Sequence, residues 1–133
     1  MSGLPGAQLR RVTEFIDDNL TRALPLSELS AEAHMSQYHF ARLFKESTGV
    51  PPHRFVVQRR IDRARTLLLD GQLSIDAIAH AVGFRTRSHF SMVFHRHTGS
   101  PPTVYRAFVS VRKDNGAMHA QNGGSGPSDA VRT

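Results

Sequence analysis

Residues 36–52 read Ser-Gln-Tyr-His-Phe-Ala-Arg-Leu-Phe-Lys-Glu-Ser-Thr-Gly-Val-Pro-Pro. Residues 86–102 read Thr-Arg-Ser-His-Phe-Ser-Met-Val-Phe-His-Arg-His-Thr-Gly-Ser-Pro-Pro, at a constant offset of 50. His39 and His89, Phe40 and Phe90, Phe44 and Phe94, Thr48 and Thr98, Gly49 and Gly99, and both Pro pairs are identical. In each copy a hydroxyl residue stands where a helix N-cap is wanted, because its side chain can accept from a first-turn amide. A Gly then supplies the left-handed stop. The Pro pair restarts a helix, where proline costs little in the first turn.

Just upstream, Leu26-Ser-Glu-Leu29 matches Ile75-Asp-Ala-Ile78 at an offset of 49, so the second turn holds one extra residue. Each half is therefore a short helix, a tight turn and a capped helix, the pattern of a helix-turn-helix. The capped helices divide into two faces. Phe40, Leu43 and Phe44 face inward, as do Phe90, Val93 and Phe94. Tyr38, Ala41, Arg42 and Lys45 form the outer stripe of the first, and Ser88, Ser91, Met92 and His95 that of the second. A helix with a polar, basic outer stripe can enter a DNA major groove and read base edges.

The same periodicity predicts the remaining elements, and no stretch alternates long enough for a sheet. The expected fold is all-α, with about seven helices. Val12, Phe15, Ile16 and Leu20 place a first amphipathic helix over residues 8–21, and Leu29 and Ala33 face inward from a second. A long helix over 53–70 buries Phe55, Val56, Ile61, Ala64, Leu67 and Leu68 and stops at Gly71. It makes a rod of roughly 27 Å. A last short helix ends near Phe108. The expected organisation is a flexible N-terminus (1–7), a first helix-turn-helix subdomain (8–50), a linker helix (51–71), a second subdomain (72–113) and a disordered, Gly-rich tail (114–133).

Charge points to the partner. The chain carries 17 Lys+Arg against 11 Asp+Glu, a formal charge of +6, and all the cations but Lys45 and Lys113 are Arg. Arginine grips phosphates and guanine edges bidentately as lysine cannot, so an acidic polymer is the expected partner. With no Cys, disulfides and thiolate metal sites are excluded. No nucleophile with a supporting base is visible, so neither a catalytic residue nor a cofactor is expected. His95 and His97 are a weak chelate pair, since residues two apart on a helix diverge, and no metal site is expected. Residues 1–8 lack the pattern of a secretory signal and no apolar run suits a membrane span, so a soluble, intracellular protein is expected.

The chain resembles the DNA-binding domain of the AraC/XylS family. The matching residues are Ser36-x-x-His-Phe-x-Arg-Leu-Phe-Lys45-x-x-x-Gly49 in the first half. In the second they are Ile78-Ala79-x-x-x-Gly83-Phe84, Ser88-His-Phe90, Phe94, Gly99-x-Pro-Pro102 and Tyr105-Arg106. The resemblance spans residues 8–108 and is similar to the short, single-domain members of the MarA/SoxS/Rob group. It implies a monomer that lays two reading helices into successive major-groove segments of an asymmetric promoter site, about one DNA turn (~34 Å) apart. It also implies contact with RNA polymerase, activation as the sign of regulation, and a bacterial cytoplasmic location at the nucleoid. The chain departs from the family at Ser30 and His34, where Ala and Gly are usual, and at Met92, where Arg is usual.

Base reading is expected from Gln37, Tyr38, Ala41 and Arg42 in the first half and from Arg87, Ser88, Ser91 and Met92 in the second. Arg42 suits a guanine, or else a phosphate; Tyr38 suits a thymine methyl or a sugar; Met92 offers an apolar contact. Phosphate contacts are expected from Ser36, Lys45, Arg54, Thr86, His95, Arg96 and Arg106. Of Arg59, Arg60, Arg63 and Arg65, one or two at most are expected to touch DNA. Glu14, Asp17 and Asp18 form an acidic face suited to a protein partner. The alternatives are a DNA-binding fragment of a larger ligand-sensing regulator and a protein-binding adaptor on the same fold.

Overall fold

The computed structural model describes residues 3–118. Among the described residues there are seven helices and no strand. They are α1 (Gly6–Asp18), α2 (Leu26–Glu32), α3 (Gln37–Thr48), α4 (Pro52–Asp70), α5 (Ile75–Ala81), α6 (Arg87–Thr98) and α7 (Pro102–Met118). The all-α, twin helix-turn-helix architecture is as expected. Two units divide within α4, between Arg60 and Ile61. The linker helix is thus not a spacer between finished subdomains. Val56 belongs to the first core, while Ile61, Ala64 and Leu68 are buried residues of the second unit.

The first unit closes on Val12, Ile16, Leu20, Leu29, Ala33, Phe40, Phe44 and Val56. One ring pair knits α3 to α4: Phe44, 5.4 Å from Phe40 on its own helix, meets Phe55 edge-on at 5.1 Å. Such tilted and edge contacts add to the burial of the rings themselves. The second unit repeats the plan. Phe84, Phe90 and Phe94 stack in sequence, and Phe94 meets Tyr105 of α7 edge-on at 5.3 Å.

Local signals in the sequence explain where the helices begin and end. Ser36 Oγ accepts from His39 N at 3.2 Å, and Thr86 Oγ1 accepts from His89 N at 3.1 Å. Gly49 and Gly99 end α3 and α6 with φ of 86° and 88°. Just before each stop, Thr48 and Thr98 share one bonding pattern. Thr98 Oγ1 lies 2.9 Å from Phe94 O and 3.0 Å from Ser100 O, and accepts from Ser100 N at 3.3 Å. Thr98 is fully buried, so this hydroxyl satisfies polar backbone that water cannot reach.

The two tight turns are built alike from unlike residues. Met35 N donates to Ser30 O at 3.0 Å, and Phe84 N donates to Ala79 O at 2.9 Å. The residue between helix and reversal is left-handed in both, Gly83 at φ 92° and His34 at φ 58°. For a side chain with a Cβ this conformation is costly. His34→Gly should therefore raise the unfolding free energy by about 0.5–1 kcal/mol, even though it removes the exposed 3.5 Å contact with Arg11. A denaturant midpoint that stays put or falls would show that the turn carries no strain.

Three expectations need correction at the edges. Residues before α1 are not all loose: Leu4 is buried in the first core and its N–H donates to Ser47 Oγ at 2.7 Å. The last helix does not stop near Phe108 but continues to Met118, so helix replaces tail over 114–118. In the sequence, Asn115-Gly116 reads as a breaker, so no helix is expected to run past it. The remainder of the expected tail, 119–133, lies outside the described residues. Finally, α1 ends at Asp18, earlier than its apolar stripe suggests, although Leu20 is still buried.

Candidate nucleic-acid interface

On α3 the burial of Phe40 and Phe44 turns the opposite face to solvent. Gln37, Tyr38, Arg42 and Lys45 are exposed and Ala41 is half-buried. Tyr38 retains 80% of its surface, far more than a tyrosine held by packing would. Arg42 Nη1 lies 3.6 Å from Glu46 Oε2, one turn along the same helix. Ser36, at the helix start, is exposed beside the first-turn amides, the place where a helix offers N–H groups and positive dipole to an anion.

On α6 the buried set is Phe90, Val93, Phe94 and Thr98. Arg87, Ser88, Met92, His95 and Arg96 are exposed, Ser91 is half-buried, and Thr86 is exposed at the cap. Met92 shows 53% of its surface. The second outer face therefore has the shape of the first but a different chemistry: an apolar side chain stands where Arg42 stands, and a basic one where Glu46 stands.

The structure sorts the other candidates. Arg54 is exposed near the start of α4. Arg106 is half-buried and donates to Leu73 O, which commits one of its nitrogens to holding the second unit together. The crowded arginines of α4 are largely engaged as well. Arg59 pairs with Asp17 at 3.0 Å and stacks over Phe55 at 5.0 Å. Arg60 donates to Arg22 O at 2.8 Å, and burial pulls its pKa down. Arg65 reaches Asp62 at 3.5 Å, while Arg63 is exposed. Asp17 is thereby withdrawn from the acidic face of α1. Arg22 holds Glu28 in a fork of 2.6 and 3.0 Å and lowers its carboxyl pKa.

Two residues were passed over in the sequence. Arg85 is exposed immediately before the Thr86 cap; the signal was the change of offset from 49 to 50, which marks it as the inserted residue of the second turn. Glu46 is the other. The repeat histidines are exposed, and the His89 ring meets Phe84 edge-on at 5.3 Å. Among the described residues no group of three or more His, Asp or Glu is placed to hold a metal ion, and no helix is long and apolar enough to cross a membrane.

Comparison with known proteins gives this geometry a lineage. A family model described as a helix-turn-helix domain matches residues 29–107, which includes both turns and both outer faces. The chain belongs to the AraC-type helix-turn-helix family of DNA-binding transcription regulators. The crystal structure of the DNA-binding domain of AdpA, a global transcriptional factor, in complex with a target DNA, superposes with a TM-score of 0.77 at 31% identity, covering 80% of this chain and 96% of that one. An AraC-type regulator from Chromobacterium violaceum gives a TM-score of 0.73 at 28% identity, over 78% of this chain and 93% of that one. Among curated relatives, the probable transcriptional regulator LumQ of Photobacterium leiognathi is 34% identical over 98 residues, 74% of this chain and 40% of its own. The uncharacterized regulator YfiF of Bacillus subtilis is 37% identical over 107 residues, 80% of this chain and 34% of its own. The chain thus spans less than half the length of these AraC-type relatives.

Proposed function

We propose that this AraC-type chain binds double-stranded DNA sequence-specifically, placing α3 and α6 in successive major-groove segments of an asymmetric site. It acts there as a monomer and a transcription regulator. The carrying observation is the solvent-facing stripe Tyr38, Ala41, Arg42, Lys45 on a helix whose other face is sealed by Phe40 and Phe44. Gln37, Tyr38, Ala41 and Arg42 read bases from the first unit. Arg87, Ser88, Ser91 and Met92 read from the second, with Met92 suited to a thymine methyl. Ser36, Lys45, Arg54, Thr86, His95 and Arg96 face phosphates. Arg106 contributes only through what its bond to Leu73 leaves free. The kinship with AdpA, whose DNA-binding domain was crystallised on a target DNA, supports this assignment. Activation through contact with RNA polymerase, in the bacterial cytoplasm, follows from the family alone.

Selection of bound duplexes from a random library of about 25 base pairs tests the proposal, with half-sites of one helical turn being about 10 base pairs apart. Two blocks at that spacing support reading by both units. One block assigns reading to α3 and leaves α6 to positioning. No enrichment overturns DNA reading in favour of an adaptor. Arg42→Ala should weaken binding to the selected site by about 1–3 kcal/mol, roughly 5- to 150-fold, and relax preference at one base pair. Unchanged affinity and preference would remove Arg42 from the reading set.

A second reading is favoured by the coverage of the relatives: the matching region is 40% of LumQ and 34% of YfiF. These residues would then be the DNA-binding part of a larger ligand-sensing regulator, which the length of the full gene product tests.

A further inference from the structure

We infer that Glu46 is a positioning residue for base reading: it holds Arg42 in register for a guanine edge and penalises the competing contact of that guanidinium with phosphate. The inference rests on DNA binding by α3 as proposed above. Glu46 stands one helical turn beyond Arg42 and its carboxylate lies 3.6 Å from Arg42 Nη1. It is adjacent to Lys45, on a helix flank where every other charged outer residue is basic. A carboxylate there opposes approach to a polyanion, so on electrostatic grounds alone the position invites a neutral or basic side chain. The second unit shows that alternative. At the offset of 50, Arg42 becomes Met92 and Glu46 becomes Arg96. Where there is no arginine to hold, there is no carboxylate.

Fold stability does not account for the pair. Both side chains are well exposed, at 50% and 36% of their surface, and an exposed pair with the basic residue on the N-terminal side is the weaker orientation. What the geometry supplies is direction. A guanidinium carries five donors in a rigid plane. With one nitrogen turned toward Glu46, the remaining edge is free for the parallel O6 and N7 acceptors of guanine. The same carboxylate repels phosphate oxygens, so swinging Arg42 onto the backbone becomes less favourable. Specificity of this kind is gained by a repulsive element as much as by an attractive one.

Glu46→Gln tests this, since it keeps shape and removes charge. Binding is measured on the parent chain and the variant with the selected duplex, a duplex changed only at the base pair assigned to Arg42, and a random duplex. The expected result is a roughly two- to five-fold gain in affinity for the random duplex and a fall of similar size in discrimination at that base pair. Thermal stability should be unchanged. In an Arg42→Ala background the effect of Glu46→Gln on discrimination should vanish, because the two act as one unit. An equal gain on all three duplexes would make Glu46 a simple repulsive charge and overturn the positioning role. So would unaltered discrimination, or an effect that persists without Arg42. A parent chain with no preferred sequence would overturn DNA reading itself, and the inference with it; a parent with sharp preference that Glu46→Gln leaves intact overturns the inference alone.

Discussion

Phe44→Ala should lower the unfolding free energy by about 3–5 kcal/mol. Phe44 is fully buried and packs on Phe40 at 5.4 Å and on Phe55 at 5.1 Å. Its removal deletes the transfer free energy of a whole ring. It also leaves a cavity bounded by two helices that are each anchored elsewhere, α3 by its Ser36 cap and buried Phe40 and α4 by buried Val56. Neither can collapse freely to refill the space. Domains of this size hold only about 5–15 kcal/mol in total, so a fifth or more of the stability should go. The control lies on the same helix: Arg42→Ala, on the exposed face, should stay within about 0.5 kcal/mol. Urea unfolding followed by helical circular dichroism measures both. Equal midpoints for the two variants would mean that the faces of α3 are assigned backwards.

The second large effect is electrostatic. Raising salt from 50 to 200 mM should weaken DNA binding on the order of 40- to 500-fold, for about three to five released counterions at a slope near −0.9 each. The number comes from the exposed, permanently charged side chains beside the reading helices: Lys45, Arg54 and Arg96, with Arg85 and Arg87 at the start of α6. Arg59, Arg60 and Arg106 are left out because Asp17, the Arg22 carbonyl and the Leu73 carbonyl already engage them. Had these three met phosphates as well, about eight contacts would give a slope near −7. Titration of a fluorescent duplex at several salt concentrations reads it directly. A slope flatter than about −2 would mean that α3 and α6 do not lie along a phosphate backbone, and would send the basic face to another kind of partner.

The repeat explains why so much of this protein is legible in its sequence. Apolar periodicity sorts Phe40, Phe44, Phe90, Val93 and Phe94 inward because a helix face must be buried somewhere. The caps at Ser36 and Thr86 and the stops at Gly49 and Gly99 are legible because each meets a local backbone requirement within four residues. The outer stripes follow as the complement. These features belong to neighbours in the chain, so one dimension suffices to find them.

What the sequence does not disclose is every case in which one segment answers another at a distance. Leu4 joins the core through Ser47, 43 positions away. Asp17 leaves the acidic face for Arg59, and Arg106 is drawn from phosphate duty by the Leu73 carbonyl. The division of the chain falls inside α4 because its two halves bury different side chains. The approach of Glu46 to Arg42, at 3.6 Å, spans only one turn, yet it is hidden for a different reason: i and i+4 charges either pair or point apart, and only the placed side chains decide. Sequence by itself determined the helices, their inward faces and the paired outer stripes, since local hydrogen bonding and burial set those. Tertiary structure alone decided which charges remain available at the surface, since a guanidinium is committed or free according to the groups that folding brings within its reach.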